Sequence, residues 1–472
     1  MIITSIAERI LLPGILLAFL LLFLTFIFGR FFCGWICPLG ATMDFWTWIN
    51  SKFIKKRENE PGKLVNVKYI LLFVIFSLSF FGIQFVWLFD PITIFVRTFS
   101  FTIHPFIVKI IERFFITLLD MTNYSSGVEV FYYKVKENVL NLSNPVFPHT
   151  YTVFIIFIVL LLVIFIKRRF WCRYLCPLGA MFAITARFTP FKRHTYCTIN
   201  CGSCKNICRM NAIKSDNSYL PQECILCLDC IEYCMQGSAK FSFFNTLPLK
   251  ESDKTITRTE FLKWAGGTIA FISLGNKANS GLNQNSLVIR PPGALVEKDF
   301  IRRCIRCGNC MKVCLTNVLQ PAVIESGTSG IWTPKMNFNI GYCEYKCNLC
   351  TQVCPTGAIE MLNVEEKMRF IIGLAQIDKK ICLPWATGEH CIVCEEHCPI
   401  SDKAIKLTEE RLANGKILKK PYVCAELCNG CGICENKCPV TPEKAIKVMS
   451  ISSGFTRQGI KLRKRNRNRG KS

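Results

Sequence analysis

Histidine and acidic residues are both scarce in this chain. Among 472 residues there are five histidines and 33 aspartates and glutamates, and charged residues of both signs make up only 19%. The sequence contains neither a C-x-x-C-H motif nor a glycine-rich dinucleotide fingerprint. His104 and His149 are the only histidines near apolar runs, and both stand by the ends of those runs. The sequence therefore argues against covalent haem, membrane haem and a bound nicotinamide or flavin.

The chain contains long apolar runs that lack charged residues. It is 51% apolar, with a mean hydropathy of +0.30. Residues 10–28, 69–89 and 146–166 form runs of 19 to 21 residues, in which His149 is the only residue that can carry a charge. Each run is long enough to cross a bilayer core of roughly 30 Å. We therefore predict an α-helical membrane domain with three crossings over residues 1–190.

Basic residues set the expected orientation of these crossings. They are concentrated in the loop at 29–68 and at 167–169, and such segments belong on the cytoplasmic side of an inner membrane. Residues 92–119 are strongly apolar but carry four charges, so we expect an amphipathic helix lying at the interface rather than a fourth crossing. Everything after residue 167 is then predicted to be cytoplasmic.

Cysteine is abundant, with 29 residues, and 24 of them fall into six blocks that follow or nearly follow C-x2-C-x2-C-x3-C. The blocks are block 1 (Cys197, Cys201, Cys204, Cys208), block 2 (Cys224, Cys227, Cys230, Cys234), block 3 (Cys304, Cys307, Cys310, Cys314), block 4 (Cys343, Cys347, Cys350, Cys354), block 5 (Cys382, Cys391, Cys394, Cys398) and block 6 (Cys428, Cys431, Cys434, Cys438). Blocks 1 and 4 have three residues in the first gap, and block 5 has eight.

This spacing is typical of [4Fe–4S] binding. A short loop with cysteines three apart wraps three corners of a cubane, and the fourth cysteine ligates the cluster of a partner block. Blocks 1 and 2 are therefore expected to exchange Cys208 and Cys234. Zinc is the rival metal, but its sites rarely repeat three close cysteines and a fourth six times over. Cys424 is left over; we predict a structural thiol, with substitution for Cys428 as the alternative.

Four further cysteines lie in a repeated C-x3-C-P-L-G-A sequence. Motif 1 (residues 32–41) contains Cys33 and Cys37, and motif 2 (residues 171–180) contains Cys172 and Cys176. Thiols four residues apart on a helix point the same way, so four thiols converge if the motifs meet. They could hold a further metal site, form redox-active pairs or only pack.

The formal charge of +25 first suggests nucleic acid. Anionic clusters favour surrounding cations, and much of the remaining excess lies in juxtamembrane loops and a basic tail at 451–472. We therefore predict no nucleic-acid partner.

The motifs also carry a family resemblance. FCGWICPLGA, FDPITIFVR at 89–97 and RRFWCRYLCPLGA followed by two cluster blocks resemble the NapH-type membrane ferredoxin of the periplasmic nitrate reductase system. The same half is similar to membrane halves of nitrous-oxide-reductase regulators and of cytochrome oxidase accessory ferredoxins. RPPGAL at 290–295, CIRCGNCMKVC, HCIVCEEHCPISDKAI and CNGCGICENKCPV resemble the NapG-type partner subunit. Together they imply a fusion of two subunits of a quinol-oxidising relay.

The resemblance carries two further expectations. By family analogy we prefer nested pairing of the last four blocks, block 3 with 6 and block 4 with 5, over sequential pairing; the spacing alone leaves both open. The partner subunit normally begins with a twin-arginine export signal, but Thr259 stands where its second arginine would be. We therefore expect the last four clusters to stay on the cytoplasmic side.

The predicted architecture is a helical membrane domain followed by α+β ferredoxin-like modules. The segments are 1–190 (membrane domain), 191–245 (two-cluster module), 246–298 (linker with a short apolar run), 299–450 (four-block domain) and 451–472 (basic tail). The predicted function is electron relay through about six [4Fe–4S] clusters between the quinone pool and a soluble or membrane redox protein, in which the chain could be a quinol dehydrogenase component. The alternative is an accessory electron donor for maturing or regulating a metalloenzyme.

A quinone pocket could lie near the outer interface. Its candidate residues are Trp87, Asp90, Arg97 and His104. The plainer interpretation, which we favour at this stage, is that Trp87 anchors the interface, Asp90 pairs with Arg97 and His104 caps a helix.

Overall fold

The chain divides into two units: Met1–Thr102 with Thr150–Ala278, and Ile103–His149 with Asn279–Ser472. The computed structural model describes residues 3–5, 15–50, 63–80, 84–122, 126–135, 147, 150–165, 167–195, 202–214, 219–234, 237–243, 288–323, 325–411 and 417–450. Most of the predicted linker and all of the predicted basic tail lie outside these residues, as do Cys197, Cys201 and His149.

The first unit is mainly helical. Its helices are Ile15–Phe28, Phe31–Trp35, Pro38–Ile49, Val67–Phe80, Val86–Phe89, Pro91–Thr98, Thr150–Leu162 and Pro177–Ala186. Pro38 and Pro177 each open a helix directly after the second cysteine of a repeat motif, where proline is favoured because its missing N–H would be unpaired anyway. The helix Pro177–Ala186 packs on Ile15–Phe28 and on Val67–Phe80. The two repeat motifs are thereby enclosed by helices.

One continuous helix runs from Pro91 to Met121 and is long and apolar enough, by length and composition, to cross a membrane. It includes a π-helical turn at Phe99–Ile103 and continues into the second unit as His104–Met121. It is the single helix of that kind in the described part of the chain; the other apolar helices there are shorter. His104 follows the π turn inside this continuous helix, so the interpretation of His104 as a helix cap is wrong.

A small ferredoxin-like module completes the described part of the first unit. Strand β1 (Lys192–Thr195) pairs antiparallel with β2 (Ala239–Ser242), with Lys192 opposite Ser242. Between them lie the short helices Ser203–Ile207 and Asp229–Glu232, which pack on each other. The sheet brings the two ends of the predicted 191–245 module together.

The second unit combines short helices with two-stranded antiparallel sheets. Its helices are His104–Met121, Ser126–Val135, Glu297–Arg303, Asn309–Lys312, Leu349–Gln352, Val364–Arg369, Leu383–Ala386, Val393–Glu396 and Ile433–Lys437. Its strands are β3 (Leu319–Pro321), β4 (Pro334–Met336), β5 (Gly373–Ile377), β6 (Ile405–Arg411), β7 (Ile417–Val423) and β8 (Ile446–Ser450), paired β3–β4, β5–β8 and β6–β7. Phe300, Ala358 and Ile359 form a fully buried core beside blocks 3 and 4.

Candidate metal centres

The strict C-x2-C-x2-C blocks share one loop conformation. In block 2, Leu226 and Leu228 have positive φ angles of 55° and 65°, and the Leu226 N–H donates to Cys224 Sγ over 3.4 Å. Left-handed geometry costs a leucine roughly 1–2 kcal/mol, so the loop adopts it against local preference. The bend turns backbone N–H groups inward, as a nest for an anion does.

Blocks 3 and 6 repeat this conformation. Arg306 and Gly308 have φ angles of 55° and 84°, and Gly430 and Gly432 have 73° and 79°. In blocks 4 and 5, whose first gap is longer, the residue after the second cysteine has a negative φ, −129° at Asn348 and −123° at Ile392, whereas Gly202 of block 1 has a positive φ of 69°. A longer first gap is therefore found with either backbone conformation, and the gap length alone does not set the left-handed bend.

The first two blocks of the second unit pair with each other. Burial raises the pKa of Cys304 to about 11; Arg306 opposes this rise, and the thiols of Cys307 and Cys354 add to it. The Cys343 thiol likewise has Cys314 among its electrostatic neighbours. Block 3 thus groups its first three cysteines with the fourth of block 4, and block 4 does the converse.

Blocks 5 and 6 form the second pair. Burial raises the pKa of Cys394 to about 12, with Cys391, Cys382 and Cys438 contributing. Cys398 is a neighbour of the Cys431 thiol. The eight-residue gap in block 5 therefore still closes on three cysteines plus one. The expectation of nested pairing is wrong: β5 and β8 flank blocks 5 and 6 and close them into one module, with Gly373 opposite Ser450.

The two modules meet between blocks 4 and 6. The Cys343 N–H donates to the Cys431 carbonyl over 2.8 Å, and the Cys343 thiol is an electrostatic neighbour of Cys431. The four groups of cysteines therefore follow the order block 3, block 4, block 6, block 5. Cys424 directly follows β7, and its N–H donates to the Ala404 carbonyl. The Cys428 thiol, in contrast, is an electrostatic neighbour of the Cys431 and Cys434 thiols. This favours Cys428 as the ligand.

Block 2 groups with Cys208 of block 1. Burial raises the pKa of Cys224 to about 11; Tyr219 and the Leu226 N–H oppose the rise, and the Cys208 and Cys230 thiols add to it. The converse group, which needs Cys197 and Cys201, lies partly outside the described residues and stays a prediction. In the part of the chain that the structure describes, no three Cys, His, Asp or Glu side chains converge closely enough to hold a single metal ion. Three close cysteines together with a fourth from a partner block are the ligands that a [4Fe–4S] cubane takes.

The two repeat motifs meet in the first unit. Cys33, Cys37, Cys172 and Cys176 are buried in one apolar cluster, which also includes Trp171. The motifs exchange arginines: Arg30 Nη2 would lie 2.9 Å from a Cβ on Gly179 of motif 2, and Arg169 lies against Gly40 of motif 1. The glycines of the repeat therefore leave room for the arginine of the other half.

Buried ion pairs surround this cluster, and sequence reasoning missed them. Glu223 accepts from Lys68 at 2.6 Å and lies 3.5 Å from Arg30. On the other side Asp44, for which the sequence offered no role, accepts from Arg169 at 2.7 Å and from Arg209 at 2.6 Å. The one available signal was that an arginine stands three residues before the first cysteine of both motifs.

The predicted quinone residues are only partly brought together. The Arg97 guanidinium lies 5.3 Å from the Trp87 ring centroid, and both residues are buried. Asp90 caps the helix Pro91–Thr98 by accepting from the Thr93 N–H at 3.1 Å. His104 belongs to the second unit.

Comparisons with known proteins agree with this chemistry. A family model described as "4Fe-4S binding domain" matches residues 10–57 and 150–195, and one described as "4Fe-4S dicluster domain" matches 303–358. The chain is 35% identical over 198 residues to ferredoxin-type protein NapG of Escherichia coli, covering 41% of this chain and 84% of that protein. It is 34% identical over 209 residues to the methylamine utilization ferredoxin-type protein MauM of Methylorubrum extorquens, covering 43% and 90%. No solved structure matches.

Sites and matches together define an iron–sulfur electron-transfer protein of the ferredoxin type. The chain belongs to the family of the ferredoxin-type proteins NapG and MauM. More than half of the chain lies outside each of these two alignments.

Proposed function

We propose that this chain relays electrons between the quinone pool and a redox partner protein, with its six cysteine blocks holding six [4Fe–4S] clusters. The observation that carries the proposal is the order of the four cysteine groups in the second unit. Each group contacts the next, from block 3 through blocks 4 and 6 to block 5. Such an order suits transfer from one end of a module pair to the other.

The protein's part in this function is positioning and electrostatics. Bound clusters supply one-electron redox chemistry. The left-handed loops of blocks 2, 3 and 6 direct backbone N–H groups inward, and all four cysteines of block 6 are buried away from water. Hydrogen bonds to the sulfur atoms and exclusion of solvent are the means by which a protein sets cluster potentials.

A membrane anchor is part of the proposal. The helix Ile15–Phe28 exposes large apolar side chains such as Leu16 (82% exposed), and Thr150–Leu162 exposes Tyr151 (78%) and Ile155. Soluble proteins rarely expose such apolar faces. Since motifs 1 and 2 pack together, they must lie on the same side of a membrane. The two crossings between the motifs, at 69–89 and 146–166, bring the chain back to the side on which it started. A further crossing at 92–119 would put the motifs on opposite sides of the membrane. We therefore retain the interfacial assignment of 92–119.

We propose that the quinone site includes Trp87, Asp90 and Arg97 of the first unit. The Arg97 guanidinium, which stacks on the Trp87 ring, can donate to an oxygen of a flat quinone ring, and the helix-capping Asp90 carboxylate can accept from a quinol hydroxyl. His104 is left out, because it belongs to the other unit. We further propose a NapH-like half fused to a NapG-like half, with all clusters on the cytoplasmic side.

Anaerobic reduction by a quinol analogue tests the relay. We expect the detergent-purified chain to lose its visible cluster absorbance on addition of the quinol, and Arg97→Gln to slow this loss about tenfold or more. Lys109→Gln, on the same helix, is the matched control. Reduction by dithionite but not by quinol would instead support the accessory-donor function.

Reporter fusions test the topology. A reporter that is active only in the cytoplasm should be active when joined after residue 190 and when joined after residue 450. A reporter that is active only in the periplasm should be inactive at both positions. A periplasmic signal at 450 would mean that the last four clusters are exported, and one at 190 would contradict the three-crossing arrangement.

A further inference from the structure

The repeat motifs present a ligand shortage that the structure resolves. The ranges matched by the 4Fe-4S binding domain model, 10–57 and 150–195, contain only Cys33 and Cys37 in the first and Cys172 and Cys176 in the second. Both ranges end before block 1. Iron–sulfur clusters of the ferredoxin type take four cysteine thiolates, so neither range alone provides a complete set.

The fold brings the two half-sets together. All four thiols are buried in the same cluster of side chains. Cys33 and Cys37 are electrostatic neighbours of Cys172, and all three are neighbours of Cys176. The Gly179 N–H donates to Cys176 Sγ over 3.1 Å, which supplies the kind of bond that bound thiolates accept.

Buried donors without acceptors surround these thiols. The Arg30 side chain is 0% exposed, yet its Nε and Nη2 have no hydrogen-bond partner in the described part of the chain. The buried Trp171 Nε1 likewise has no hydrogen-bond partner in the described part of the chain. A buried donor left unpaired costs about 1–3 kcal/mol, and more when it is charged. Every one of these atoms is a donor, so what the site lacks is an acceptor.

The buried charge next to the thiols is also positive in excess, which again indicates a missing anion. Arg30 and Lys68 share one carboxylate, that of Glu223, which leaves one buried positive charge in excess. On the opposite side Arg169 and Arg209 are balanced by Asp44 and Asp229. A buried net charge is costly unless it is paired, and an anionic occupant beside Arg30 would pair it.

We propose that Cys33, Cys37, Cys172 and Cys176 jointly hold a seventh iron–sulfur cluster, with one pair of ligands from each repeat and Arg30 as its buried cation. Binding would release the thiol protons. The site adjoins block 2: Cys227 packs against the same cluster of side chains, and Trp35 Nε1 donates to the Leu226 carbonyl at 2.8 Å.

Iron and sulfide analysis of the full chain, purified anaerobically in detergent, tests this inference. It takes the six blocks as its baseline and therefore rests on the proposed function for the absolute count. We expect about 26 to 28 irons rather than about 24 per chain. Cys172→Ser should lose two to four irons with an equal amount of sulfide and one Mössbauer component, while the control Cys424→Ser loses none.

Three results would overturn the seventh site. They are a Cys172→Ser variant with wild-type iron content, a wild-type count of about 24, or Cys33, Cys37, Cys172 and Cys176 recovered as disulfides from the native protein. If Cys172→Ser fails to fold, the wild-type count and its Mössbauer components decide. A chain without iron would contradict the proposed function instead, so the two failures are distinguishable.

Discussion

The two units differ in how they pair their buried charges. In the first, Arg30, Lys68 and Arg169 are at most 1% exposed and bind carboxylates from distant parts of the chain. In the second, the fully buried Lys367 donates to the Tyr345 carbonyl instead, and ion pairs such as Lys447–Glu443 lie at the surface. Surface pairs contribute little to stability, whereas breaking a buried pair is severe. The first unit therefore depends on charge complementarity, and the second on thiols, tight loops and an apolar core.

Of the changes that test this difference, removing the Glu223 carboxylate shared by Arg30 and Lys68 should destabilise the protein most. Glu223→Gln leaves Arg30 and Lys68 buried without a counter-charge, and we expect a loss of about 3–5 kcal/mol in denaturant unfolding followed by tryptophan fluorescence. The matched change Glu443→Gln in the second unit should cost less than about 0.5 kcal/mol. Equal losses would erase the distinction between the units.

A loop glycine tests the dependence of the second unit on tight packing. Gly432 has a φ of 79°, and a Cβ there would lie 2.0 Å from the Phe338 ring. We expect Gly432→Ala to cost about 2–4 kcal/mol, from left-handed strain and overpacking together, and to lower the iron content. Gly388 has a φ of 73° with open space around it, so Gly388→Ala should cost only about 1–2 kcal/mol. A smaller loss for Gly432→Ala than for Gly388→Ala would be inconsistent with this packing.

A smaller, pH-dependent effect should belong to the first unit. Burial, followed by repulsion from Arg30, lowers the pKa of Lys68 from 10.5 to about 8 against the attraction of Glu223. Between these values the unfolded chain binds more protons at this site, so its contribution to the free energy of unfolding rises with pH. Lys68→Met should flatten that rise between about pH 8 and 10.5, and Lys447→Met should not. An unchanged slope in Lys68→Met would contradict the assignment.

Local spacing made the cluster blocks predictable, because the C-x2-C-x2-C loop is built within a few residues. The left-handed bends at Leu226 and Arg306 lie in the two-residue gaps between the first two cysteines of blocks 2 and 3. Neither leucine nor arginine favours that conformation, so the residue types did not predict the bends. The order of the modules was not predictable, since it depends on β5 pairing with β8 far along the chain. The contact between Arg30 and Glu223 joins residues 193 positions apart, and no local pattern encodes such a distance.

Metal and sulfide analysis of the anaerobically purified chain tests the central claim most directly. The six blocks predict iron and acid-labile sulfide in equal amounts, at least about 24 of each per chain, together with the EPR signals of reduced [4Fe–4S] clusters. A colourless protein that contains zinc and neither iron nor sulfide would contradict the account.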